Sequence, residues 1–359
     1  MPVPELTRTD ARRIAVRAAL LDAHRPVELV ELIGSLGMLR IELTAVVEPS
    51  AEHILWSRLG RDFRSPDIDD AVAAGRLFER GWMLRPMSDL GLYLAGMRSW
   101  LDRAGARTWV EANDAFARGI LERIELDGPL TSRELPDAAE IPWPSSGWSN
   151  NRNVTKMLEC LHMSGQLAVV GREGRLRVWD LAERVYPAVA EVPAGEARRI
   201  RSERLLAACG IMRDSIAVSP LELHGNDRVG ESVTIAGVPG RWLVDPSQLD
   251  RSFEGRTAIL SPFDRLMTDP QRVARVFQFD YTLELYQRAE TRRWGQFALP
   301  ILHGDRLVGK VDARSDRDSG RFVVHRVHED EPFDHATRAA VDEELDGFAS
   351  WLGLTLARD

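Results

Sequence analysis

The chain has 359 residues, 44% hydrophobic and 28% charged, with 47 Lys plus Arg against 55 Asp plus Glu and a formal net charge of −8. That is long enough for two or three domains with real cores, and the mixed-sign charge excludes disorder as the dominant state. The acidic balance excludes a polycation that coats nucleic acid but not a local basic groove. All but two of the basic residues are arginines, the lysines being Lys156 and Lys310. The plain reading of that preference is a GC-rich coding bias, the alternative is that Arg suits phosphate forks and stacking, and the composition carries no functional weight. Cys160 and Cys209 lie far apart without C-x-x-C spacing and read as buried thiols of a reducing compartment. No stretch reaches the roughly 18 consecutive apolar residues of a membrane span, and the N-terminus lacks an apolar signal core. A soluble cytoplasmic protein is expected.

Residues 6–21 open on a Thr or Asp cap and carry Leu6, Ile14, Val16, Ala19 and Leu20 at helical spacing. Residues 27–36 read as a second short helix closed by Gly37, and 38–43 alternate as a strand does. Helix, helix, strand predicts a small helix-turn-helix with a wing in an N-terminal domain, 1–111.

The clearest module spans 112–190. A helix over 115–124 ends near Gly128-Pro129, and Thr131 or Ser132 with Glu134 behind it marks another helix start. After a Trp/Pro/Ser loop at 143–148, a third helix over 150–165 sets Val154, Met157, Leu158 and Leu161 on one face. Strands 167–170 and 176–179 pair around Gly171-Arg172-Glu173-Gly174. Three helices followed by a hairpin are a winged helix-turn-helix, with the third as recognition helix.

Residues 187–197, rich in Pro, Ala, Glu and Gly, read as a linker. The region 191–257 holds a helix over 198–209 and a hairpin of 231–235 with 241–244 around Pro239-Gly240. It is too short and too broken by Gly and Pro for a complete third helix-turn-helix. In 258–359 a strand at 258–260 runs into Ser261-Pro262-Phe263-Asp264-Arg265, and further strands are predicted at 280–286, 297–302, 307–311 and 321–327. An acidic helix over 335–352 closes the chain. Between 329 and 346 eight acids face one base, Arg338, so nearly all of the net charge resides there. The expected fold class is α+β, with tandem winged helix-turn-helix modules and a C-terminal mixed α/β region containing antiparallel sheet.

Several stretches occur in an order that carries a resemblance. They are Leu36-Gly37 before the short strand, Ile54-Leu55-Trp56-Ser57-Arg58, Gly128-Pro129-Leu130-Thr131-Ser132, and Thr155-Lys156 through Gly165-Gln166-Leu167. Leu260-Ser261-Pro262-Phe263-Asp264, Phe279-Asp280-Tyr281-Thr282-Leu283-Glu284 and Leu299-Pro300-Ile301-Leu302 through Gly309 follow. Over nearly its whole length the chain resembles the bacterial winged-helix DNA glycosylases typified by AlkZ and YcaQ. The resemblance implies tandem winged helices building a concave surface for duplex DNA. It also implies hydrolysis of the N-glycosidic bond of alkylated or interstrand-crosslinked bases, in repair or in self-resistance to a genotoxic alkylator. A monomer at the nucleoid is expected, working without metal or cofactor. The family's catalytic triplet, Gln-x-Gln or Gln-x-Asp, aligns here with Arg40-Ile41-Glu42, and the family's His is absent from 78–86. The alternative is a non-catalytic winged-helix protein that binds DNA or regulates.

On a strand, residues i and i+2 share a face, so Arg40 is expected beside Glu42 with Ile41 turned to the core. A glycosylase must oppose positive charge at C1′ of an oxocarbenium-like sugar and hold a water for attack. A carboxylate does both, which makes Glu42 and Arg40 the catalytic candidates. Arg40, a donor only, would clamp a phosphate or keep Glu42 ionised. The plainer alternative is a same-face ion pair worth little. DNA contacts are expected from Asn151, Arg152, Asn153 and Lys156 on the recognition helix and from Arg172, Arg175 and Arg177 on the wing. Arg58 and Arg265 are expected to face the DNA as well. Trp56, Ser57, Ser261, Pro262, Phe263, Asp264, Asp280 and Tyr281 are expected to brace the groove, since no G-x-S-x-G elbow surrounds Ser261. His325 and His328, three apart in a strand, should point to opposite faces, and no metal site is expected.

Overall fold

In the computed structural model, residues 3–104, 106–143, 152–214 and 227–359 are described. The chain divides into two compact units, one of Met1–Arg64 with Arg201–Asp359 and the other Ser65–Ile200. Both mix helices with antiparallel sheet, the α+β class expected.

The discontinuous unit carries two sheets. One orders Glu5–Leu6, Glu231–Ile235, Val238–Val244 and Ile211–Arg213; the other orders Thr257–Ile259, Leu299–His303, Arg306–Asp316, Arg321–Glu329 and Thr355–Arg358. Glu5–Leu6 and Thr355–Arg358 join in parallel at sheet edges, and the remaining pairings are antiparallel. The helix Arg8–Ala18 starts with a capping box, the Thr7 hydroxyl accepting from the Asp10 N–H while the Asp10 carboxylate accepts from the Thr7 N–H. Its Ala11, Ile14 and Ala15 pack with Trp242, Val244, Leu260, Phe279 and Leu302 in one core. The helix His335–Trp351 buries Val341, Leu345 and Phe348. The acids near it are taken up in local pairs, Glu329 with Arg338, Asp330 with Lys310, Glu331 with Arg306 and Asp342 with Arg358.

The unit Ser65–Ile200 contains the hairpin of Leu77–Arg80 with Met83–Pro86 and a sheet ordered Leu130–Thr131, Leu176–Leu181, Leu167–Glu173. The helices Asp114–Asp127 and Asn153–Met163 pack Phe116, Ile120 and Ile124, and Met157, Leu158 and Leu161, against Leu167, Val169 and Trp179 of that sheet.

Helix C-termini leave carbonyls without intrahelical partners, and arginines end several helices here. Arg58 donates Nε and Nη2 to Ala19 O (3.1 and 2.9 Å) after the helix Arg8–Ala18. Arg265 donates to Leu36 O (3.1 and 2.7 Å) after Leu29–Ser35, and Arg272 to Cys209 O (3.1 Å) at the end of Ala194–Cys209. In the other unit Arg80 donates to Met163 O at 2.7 Å, closing Asn153–Met163.

Several local expectations change. The strand expected over 38–43 is only Leu39–Arg40, and Ile41 is half-buried rather than turned into the core. Residues beyond it are strapped to the helix Ser50–Leu59, with Ser50 Oγ donating to Arg40 O (3.1 Å) and Ser50 N to Glu42 O (3.3 Å). No helix starts at Thr131. Its N–H and hydroxyl both donate to Glu134 Oε2 at 2.8 Å, yet Pro136 keeps Leu135 out of helical geometry, and Leu130–Thr131 pairs with Trp179 and Val178 instead. The segment 280–286 is not a strand. Tyr281 Oη donates to Ala298 O (2.8 Å), and the buried Glu284 carboxylate accepts from the N–H groups of Arg293 and Trp294. The hairpin turn falls at Ala236-Gly237, and a bulge between Val238 and Trp242 absorbs Pro239-Gly240. A further bulge lies at His325, where Asp312 pairs with Arg326 and Ala313 with Val324. The strict alternation that would separate His325 from His328 is lost, and both act on Asp312, whose carboxyl burial pushes up. Among the described residues no group of His, Cys, Asp and Glu could hold a metal ion.

Candidate active site

The segment carrying Arg40 and Glu42 is fixed at both ends. Upstream, Gly37 at φ +74 turns the chain out of Leu29–Ser35, and Arg265 grips the Leu36 carbonyl at that corner. Downstream, Ser50 straps the backbone of Arg40 and Glu42, as described above. Glu42 Oε2 lies 3.4 Å from Arg40 Nη2, and its Oε1 accepts from Thr44 N (3.3 Å) and Thr44 Oγ1 (3.0 Å). The Arg40 side chain is 34% exposed and that of Glu42 25%, so the pair is open to a ligand while anchored from behind.

The guanidinium of Arg40 lies over the Phe263 ring, 4.5 Å from its centroid, and Phe263 in turn tilts against Phe297 at 6.1 Å. Phe263 is held by its neighbours. Ser261 Oγ accepts from Phe263 N (3.3 Å), Pro262 is buried, and Asp264 Oδ1 accepts from Leu266 N (2.9 Å). The Asp264 carboxylate forms a fully buried pair with Arg58, which also draws on Ser57 Oγ and Ile54 O. Trp56 packs with Phe348 at 4.5 Å and Trp351 at 5.8 Å between ring centroids. His53 Nε2 bonds Ile259 O at 2.9 Å, and burial pushes its pKa down to about 4, so it is neutral.

Three residues expected to meet DNA are buried instead. Arg58 is 0% exposed and neutralised by Asp264, and Arg265 is buried against the Leu36 carbonyl. Arg177 is 7% exposed, paired with the buried Glu79, and stacked 3.5 Å from the Trp82 centroid. A cation inside a low-dielectric interior needs such partners, which is why each is tied down. Arg172 is half-buried on the same Glu79. Arg152 and Arg175 are exposed, Lys156 pairs with Glu159 at 3.1 Å over the Trp143 ring, and Asn153 bridges Asp137 and the Trp143 N–H. Asp280 is exposed and pairs with Arg293 at 3.0 Å. Asn151 falls outside the described residues. Thr44 was not singled out in the sequence; its position two residues after Glu42, matching an Asx/Ser/Thr-type local bond, was the available signal.

A carboxylate with both oxygens oriented, beside a cation on an aromatic face, is equipped to hold a water and steer charge at a reacting carbon. The class is given by comparison: residues 33–351 match the family described as DNA glycosylase AlkZ-like, and the chain belongs to that family. The structure of the Streptomyces sahachiroi DNA glycosylase AlkZ is similar over 99% of this chain and 100% of that one, with a TM-score of 0.67 at 18% identity, so the two share a fold. No helix among the described residues is long and apolar enough to cross a membrane.

Proposed function

We propose that this protein hydrolyses the N-glycosidic bond of alkylated or interstrand-crosslinked bases in duplex DNA, in repair or self-resistance. The Glu42 carboxylate, oriented by Thr44 and Arg40 at an accessible position, carries this reading. Glu42 would orient the attacking water and oppose the cationic charge that grows at C1′ as the base departs. The rest of the reading is a monomer at the nucleoid in which the regions 1–111 and 112–190 act as tandem winged helices, with 191–257 a degenerate third, ahead of 258–359. Arg152, Lys156, Arg172 and Arg175 would then follow the DNA backbone. Incubation of alkylated duplexes should release free base, and Glu42→Gln should abolish release with duplex affinity retained.

A second reading, a DNA-binding protein without catalysis, is favoured by one observation. Both Glu42 oxygens already have partners, and Arg40 cancels the local charge. Salt-sensitive duplex binding by a wild-type protein that releases no base from any adduct would establish this reading and refute the first.

A further inference from the structure

The Arg40–Glu42 pair carries a consequence for which bases can be removed, and it rests on the proposed glycosidic hydrolysis. Glu42 uses Oε2 toward Arg40 and Oε1 toward Thr44. Arg40 offers Glu42 only Nη2, at 3.4 Å, and its carbonyl, not its guanidinium, is held by Ser50. The ring of Phe263, 4.5 Å beneath, fixes the plane of the guanidinium without using an N–H. Its remaining donors have no hydrogen-bond partner among the described residues, and a third of the side chain is open to solvent. A fixed cation with unused donors therefore stands next to the carboxylate at which the sugar would become cationic.

We infer that Arg40 makes the site selective for bases that are uncharged before cleavage and depart as anions. As the C1′–N bond breaks, its electron pair leaves with the base. For an uncharged base the negative charge appears on a ring nitrogen or exocyclic oxygen, and an Arg40 N–H donates to that atom while keeping its own proton. The water oxygen bonds to C1′, its proton passes to the Glu42 carboxylate and on to solvent, and the departed base takes a proton from solvent. A base that is already cationic, such as an N7-alkylated guanine, leaves neutral. It gains nothing from Arg40 at the transition state, and on binding Arg40 offsets the attraction that the Glu42 carboxylate alone would exert on it. In both cases one unit of charge moves from base to sugar, so the discrimination lies in kcat/KM and not in the rate of the bound complex.

The test measures kcat/KM for matched duplexes holding one 1,N6-ethenoadenine, one hypoxanthine or one N7-methylguanine, each divided by its uncatalysed release rate. Wild-type protein is compared with Arg40→Gln, which removes the charge, and Arg40→Lys, which keeps it. The uncharged lesions should be accelerated at least about tenfold more than N7-methylguanine. Arg40→Gln should erase or invert that ratio, while Arg40→Lys should keep its direction. A wild-type preference for N7-methylguanine, or an unchanged ratio in Arg40→Gln, overturns the inference while the glycosylase reading stands. Absence of release from all three duplexes, with release from other alkylated or crosslinked duplexes, overturns the inference alone; no release from any adduct overturns both.

Discussion

Replacing Asp264 by Ala tests how the site is anchored. Arg58 and Asp264 are both 0% exposed, with Nη2 donating to Oδ1 at 3.0 Å and Nη1 donating to Oδ2. Without the carboxylate, the guanidinium keeps only neutral acceptors, the carbonyls of Ala19 and Ile54 and the Ser57 hydroxyl. Breaking one side of such a buried pair costs about 3–5 kcal/mol. Asp264 also accepts from Leu266 N, a cap worth about 1 kcal/mol. Urea unfolding followed by tryptophan fluorescence reads the change, because Trp56 and Trp351 stack within the same unit. A loss on the order of 4 kcal/mol is expected. The double variant Arg58→Met with Asp264→Leu, which removes both charges, should recover most of it. A loss below about 1 kcal/mol for Asp264→Ala, or a double variant no more stable than the single one, would refute the account of this pair.

Thr44→Val removes the 3.0 Å hydroxyl bond to Glu42 but leaves the backbone one, so single-turnover base release should fall by roughly tenfold while duplex affinity holds; an equal loss of both would count against a role in orienting Glu42. His53 has its folded pKa pushed down to about 4 by burial, partly offset by its bond to Ile259 O. The unfolded chain therefore takes up this proton first, and stability should be constant above about pH 6.5, decline by about 3 kcal/mol as pH falls toward 4, then level. Urea midpoints against pH should show that slope, with one proton less in His53→Phe; an unchanged slope would rule His53 out as its source. In the other unit, Glu79→Ala leaves Arg172 and Arg177 without their shared carboxylate and should cost about 3–5 kcal/mol, measurable as a lowered melting temperature and contradicted by a melt that does not move.

Periodicity and turn chemistry carried the sheet-rich parts well where the two sides of a pairing are close in sequence. The hairpin of Leu167–Glu173 with Leu176–Leu181 is legible for that reason, since its loop residues and alternation lie within one short window; for Glu231–Ile235 with Val238–Val244 the two strands are legible, while Pro239-Gly240 points to the wrong turn because a bulge absorbs it. The helix expected at Thr131 failed because its capping signal is genuine, with Glu134 bonded back to Thr131, while the proline two residues beyond Glu134 decides the backbone. Asp280 to Tyr286 alternates like a strand but pairs with no strand among the described residues, and a buried carboxylate gathering two backbone N–H groups from the following loop is invisible to periodicity. At the site, the spacing of Arg40 and Glu42 predicted their adjacency. Phe263, more than two hundred positions away, could be placed in the groove by resemblance but not beneath Arg40 by any local rule.

The arginine content is where sequence and structure part most instructively. Arginines in motif positions invite assignment to phosphate, yet Arg58, Arg80, Arg265 and Arg272 are each buried with guanidinium N–H groups on the carbonyls that end a helix. The physical reason is geometric. A helix C-terminus presents several unpaired carbonyls and the negative end of the dipole, and a planar fork with five donors can serve them together while its charge is met by the dipole or a carboxylate. A lysine ammonium offers a compact point charge without that fork and is more strongly hydrated, so it would lose more on burial. Arg272 makes the case most fully, since it joins Cys209 O and Ile211 O to Arg265 O and Leu266 O at 3.1–3.2 Å, tying one helix end to the segment that follows Phe263 and Asp264. The number of arginines therefore says little about the charge presented to DNA. What counts is which guanidinium keeps donors unassigned at the surface, and Arg40 meets that condition where Arg58 and Arg265 do not.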